Sequence, residues 1–162
     1  MDIAGVDGCR SGWLCVRNRE GDIQAEVFPN FGQLLKLLPG TTVIAIDIPI
    51  GLPTAGERAC DRMARKALGA PRSSSVFPAP IWAVMDEIDY VVACSKHRDT
   101  DGRALSKHAF AILPKIAEVN RLILNDETLQ GRVREIHPEL CFTGVEWRSA
   151  NATSQERRRR CH

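Results

Sequence analysis

The chain has 162 residues, 44% hydrophobic and 26% charged, a balance suited to one folded domain with its own apolar core. No apolar run approaches the roughly 20 residues a membrane helix needs, and the opening Met-Asp-Ile-Ala-Gly-Val-Asp lacks the basic start of a signal peptide, so a cytoplasmic protein with no membrane partner is expected. The net charge of +2 is unevenly placed: residues 145–162 hold Arg148 and Arg157 to Arg160 against Glu146 and Glu156, which leaves the remainder at −1 and excludes an overall basic footprint for nucleic acid.

The six cysteines form no Cys-x-x-Cys pair and fit no zinc module, so free thiols are expected. Residues 2–7 read as a short strand ending on an acid, and Gly8-Cys9-Arg10-Ser11-Gly12 as a glycine-flanked turn. Two more strands follow, 13–17 and 23–28, with a polar turn between them. Such short connections predict an antiparallel meander. Asn30 reads as the N-cap of a helix through Leu38, with Phe31, Leu34, Leu35 and Leu38 at helical spacing. Residues 42–48 are nearly all apolar and β-branched, the pattern of a central strand covered on both faces, interrupted only by Asp47.

The prolines of Ile48-Pro49-Ile50-Gly51-Leu52-Pro53 carry the chain out of the sheet. A helix is expected over 57–68, with Ala59, Cys60, Met63, Ala64, Ala67 and Leu68 inward and Arg58, Arg62, Arg65 and Lys66 solvated on its other side. Residues 72–80 read as a loop, 90–96 as a short helix, 99–103 as a polar turn and 106–125 as a long helix through Pro114. A fifth strand is expected over 132–136, with His137-Pro138-Glu139 at its end. The polar stretch 149–162, ending in arginines, predicts a disordered tail after a single domain over 1–148.

The order β-β-β-α-β, then helices, then β, is that of a ribonuclease-H-like α/β fold with a five-stranded mixed sheet flanked by helices. A dinucleotide-binding fold alternates βαβ from the start, and neither a Gly-x-Gly-x-x-Gly turn nor a P-loop is present. An aspartate ending a core strand is costly if desolvated and unpaired. Asp7 shares a face with Gly5 and Ile3, and Asp47 with Ala45 and Val43, small neighbours that leave room for a ligand. If the two strands are adjacent the carboxylates converge, and convergent carboxylates either share a proton or hold a cation such as Mg²⁺ or Mn²⁺. The plainer alternative is that each aspartate caps a turn. Glu135, His137 and Glu139 are candidates for a third ligand and for proton transfer. Arg10, Arg72, Ser74 and Ser75 are candidate phosphate contacts.

The segments Gly5-Val6-Asp7-Gly8-Cys9-Arg10-Ser11-Gly12-Trp13, Ala45-Ile46-Asp47-Ile48-Pro49-Ile50-Gly51-Leu52-Pro53, Ser74-Ser75-Val76-Phe77-Pro78-Ala79-Pro80, Ala109-Phe110-Ala111-Ile112-Leu113-Pro114-Lys115-Ile116 and Glu135-Ile136-His137-Pro138-Glu139-Leu140-Cys141-Phe142 occur in this order. Together they closely resemble the domain-of-unknown-function family 429, described as predicted nucleases of ribonuclease-H fold. The resemblance implies a divalent metal held by Asp7, Asp47 and Glu139, with His137 beside them. It also implies a further acidic motif on a C-terminal helix. No Asp or Glu follows Glu156, so a truncated member with one ligand fewer is expected. Two functions compete: a metal-dependent nuclease, and a catalytically impaired module of the same fold that binds nucleic acid or a nucleotide. A phosphotransfer protein of the sugar-kinase and actin type ranks behind both.

Overall fold

A computed structural model describes residues 2–38 and 43–142. The expected tail over 149–162 lies outside the described residues. Three strands, β1 (Asp2–Cys9), β2 (Gly12–Arg19) and β3 (Asp22–Phe28), form the antiparallel meander that the short turns require. The first turn is tight: Gly12 has φ 131° and a Cβ there would stand 2.0 Å from the Phe28 carbonyl oxygen, so no other residue fits. Helix α1 (Phe31–Leu37) starts where Asn30 accepts a hydrogen bond from the Gln33 amide at 2.8 Å. Strand β4 (Val43–Ile46) then runs parallel to β1, and β5 (Val133–Glu135) parallel to β4. The result is an α/β fold with a five-stranded mixed sheet in the order β3-β2-β1-β4-β5, flanked by helices.

Between β4 and β5 the chain makes α2 (Ala59–Leu68), two short 3-10 turns (Arg72–Ser75 and Trp82–Val84), α3 (Tyr90–Asp101), α4 (Lys107–Leu124) and α5 (Glu127–Arg132). A last short helix, α6 (Pro138–Phe142), follows β5. Side-chain caps set several starts: Asp89 for α3, Ser106 for α4 and Asp126 for α5. Helix α3 extends well past the expected 96 and stops at Gly102, which takes the left-handed conformation at its C-cap.

The main core joins one face of the sheet (Ala4, Val6, Trp13, Cys15, Ile44 and Ile46) to α1 and α4 through Phe31, Leu34, Ile116, Val119 and Ile123. Burying each such side chain contributes on the order of 1.5–3 kcal/mol. Trp13 also donates to Glu118 at 2.9 Å, and the Lys115 ammonium lies 4.6 Å from its ring centre. The opposite face of β1, β2 and β3 presents Ile3, Leu14, Val16, Ile23 and Val27, all exposed. Asp7 belongs to that open face, because its strand neighbours Val6 and Ala4 point into the core.

Helix α2 departs from its expected orientation. Met63, Ala59 and Ala67 are exposed, whereas Asp61 and Ala64 are buried. The inward aspartate is tolerated because Arg58, at the N-cap, turns in with it. Its Nη2 donates to Asp61 Oδ1 at 2.6 Å and its Nε to Oδ2 at 3.1 Å.

Candidate active site

The carboxyl ends of the parallel strands are where open α/β sheets place their ligands. Here those ends carry Asp7, Asp47 and the segment from Glu135 to Glu139. The β1–β4 ladder pairs Gly5 with Ala45 and Val6 with Ile46, and the Asp47 amide donates to the Val6 carbonyl at 3.4 Å. One further step of that register sets Asp7 beside Asp47 on the same face, one strand spacing of about 4.8 Å apart. The strand adjacency on which the expected convergence depends is therefore present.

Asp47 remains exposed as a residue, yet its carboxyl stands in dense surroundings. Burial pushes its pKa up to about 6; the charge of His137 opposes this, while the charges of Asp7, Glu139 and Glu135 add to it. His137 Nδ1 lies 2.9 Å from Glu139 Oε2, so the ring donates there and Nε2 is left to accept a proton. Glu139 is held below the usual carboxylate range, first by its own backbone N–H at the start of α6, against burial, and then by His137 and the Ser75 hydroxyl.

Asp47, Glu135, His137 and Glu139 line one open cleft with Arg58, Asp61, Ser75, Phe77 and His108. Its volume of about 210 Å³ is less than the ~300–1,000 Å³ typical of an enclosing small-molecule pocket. Asp7 stands outside that lining, on the open sheet face. Of the four residues expected to meet phosphate, the cleft takes in Ser75. Arg10 and Arg72 are exposed outside its lining, as is Ser74, whose hydroxyl donates to the Pro71 carbonyl at 2.9 Å.

Glu135 is already engaged. Arg58 grips it with Nη2 on Oε1 at 2.6 Å and Nη1 on Oε2 at 2.8 Å, and the Ile50 amide donates to Oε2 at 2.9 Å. Burial pulls the Arg58 pKa down, but its hydrogen bonds to Glu135 and Asp61 outweigh that and raise it. This guanidinium ties α2, β5 and the segment after Asp47 together. The charge pattern of 57–68 predicts Arg58 on a solvated face and marks out no role for Asp61. The available signal was an Arg-x-x-Asp pair opening a helix whose Asp lies three residues before the inward Ala64. Asn120, buried on α4, completes the support: its Oδ1 accepts from the Gly51 amide at 2.8 Å and its Nδ2 donates to the Pro49 carbonyl at 2.9 Å.

A family model described as a protein of unknown function, DUF429, matches residues 5–161. The chain belongs to the DUF429 family. No curated protein and no solved structure matches it. Among the described residues of this DUF429 chain, no three His, Cys, Asp or Glu side chains stand together as a metal-holding group. The set Asp7, Asp47 and Glu139 is thus not closed into a three-ligand centre, because Glu139 is turned to His137 and Ser75. Mg²⁺ keeps several waters and is commonly bound through one or two carboxylates plus substrate phosphates, so carboxylates at Asp7 and Asp47 are of the ligand type it takes. Among the described residues, no helix is long and apolar enough to cross a membrane.

Proposed function

We propose that this DUF429 chain is a metal-dependent phosphodiesterase of ribonuclease-H-like fold that acts on nucleic acid in the cytoplasm. The observation that carries the reading is that Asp7 and Asp47 directly follow the paired residues Val6 and Ile46 of adjacent parallel strands, with the Asp47 amide bonded to the Val6 carbonyl. The strand order β3-β2-β1-β4-β5, with a meander feeding a parallel β4, supports the fold assignment. Asp7 and Asp47 would hold Mg²⁺ or Mn²⁺. Such an ion, when bound, supplies charge for the phosphoryl oxygens and a more acidic water. His137, fixed by Glu139 through Nδ1, would take up a proton at Nε2. Glu135 and Arg58 would keep the segment after Asp47 in place without touching substrate.

A second reading, an impaired module that binds without turnover, is favoured by the lack of a closed three-ligand group among the described residues. Incubation with Mn²⁺ and single-stranded, hybrid or branched substrates separates the two. Cleavage that Asp7→Asn and Asp47→Asn each abolish supports the enzyme. Cleavage unaffected by either substitution removes the assignment, and binding without cleavage selects the second reading.

A further inference from the structure

We propose that Phe77 and His108 form a seat on which one unpaired nucleobase stacks, so that the cleft takes single-stranded nucleic acid in preference to duplex. This rests on the phosphodiesterase reading for the class of ligand, while the stacking residues are read from the cleft itself. Phe77 is 59% exposed, although its neighbours Val76 and Ala79 are 3% and 5% exposed. The segment therefore has a buried anchor on either side of an aromatic ring that stays open to solvent. That ring lines the same cleft as Asp47 and Glu139, and its centre lies 5.2 Å from that of His108, tilted by 40°.

His108 comes from the first turn of α4 and is itself exposed, so the pair is a joint surface of two elements. Pro78 and Pro80 follow Phe77 and restrict the backbone that presents it. A ring held this way loses little freedom when a base lies against it. Duplex bases are already stacked and cannot reach an open ring beside a strand-end site without being pulled out.

The test is fluorescence anisotropy of a short labelled oligonucleotide with Ca²⁺ present, an ion that takes the same oxygen ligands. Wild type should bind the single strand more tightly than the matching duplex. Phe77→Ala should weaken single-strand binding by about 5- to 150-fold, and Phe77→Trp should restore it. An abasic oligonucleotide should bind wild type as weakly as the intact one binds Phe77→Ala. The proposal is overturned if no oligonucleotide binds, if duplex binds as well as single strand, or if Phe77→Ala changes nothing while its melting temperature matches wild type. Stacking without Mn²⁺-dependent cleavage supports this proposal and removes the phosphodiesterase reading; cleavage with a neutral Phe77→Ala does the reverse.

Discussion

Asp47 sits where two demands conflict. Its carboxyl, ordinarily ionised at neutral pH, has been pushed up to about 6, chiefly by burial and, against the pull of His137, also by Asp7, Glu139 and Glu135. A folded-state pKa raised above the usual aspartate value of 3.8 means that the folded protein binds more protons between the two values. Stability therefore falls as pH rises from about 4 to about 6 and stays lowered above that window. Asp47→Asn should raise the urea midpoint at pH 7.5, and the gain should disappear below pH 4. Such a gain paired with lost activity is the usual mark of a functional rather than a structural acid. A cation at the pair would compete with the same proton, so calorimetric Mn²⁺ affinity should weaken as pH is lowered through about 6. Asp7 and Asp47 were readable in the sequence because a charge interrupting an apolar strand run is conspicuous. Asp61 was not, because on a helix every third or fourth residue shares a face and an inward acid is recognised only with its partner.

At the scale of elements, α2 is held by charge as much as by apolar contact. The Arg58 and Asp61 side chains are 8% and 5% exposed, and Arg58 spans from α2 to Glu135. Removing the guanidinium leaves both acids near one another without a counter-charge. Arg58→Ala should cost about 3–5 kcal/mol in urea unfolding, and Asp61→Asn should cost less because a neutral amide needs no cation. The segment after β4 depends on Asn120 in a different way, through neutral hydrogen bonds to Gly51 and Pro49. Asn120→Ala should cost about 1–3 kcal/mol and speed hydrogen exchange at the Gly51 amide. Strands β1 to β3 and helices α1 and α4 were readable from alternation, caps and helical spacing. Helix α5, with Gln130 and Gly131 in only six residues, has too little apolar pattern to announce itself. The inward side of α2 was misjudged because its small residues, Ala59 and Ala67, are as comfortable in water as inside.

For the whole molecule, topology follows from two facts: three strands with short turns, and a fourth that crosses over through α1 to lie parallel to the first. That crossover puts Asp7, inside β1, and Asp47, the residue just past β4, on neighbouring strands. The cleft formed by α2, the Arg72–Ser75 turn and α6 was not readable, because it depends on long-range contacts such as Arg58 to Glu135. The proposed nuclease requires Asp7 and Asp47 to act as one cation site. The most direct measurement is a Mn²⁺ titration of wild type, Asp7→Asn and Asp47→Asn at pH 7.5, followed by electron paramagnetic resonance. Wild type should bind one ion, and each variant should lose at least about tenfold in affinity, equivalent to about 1.4 kcal/mol. Equal Mn²⁺ binding by wild type and both variants would contradict that requirement.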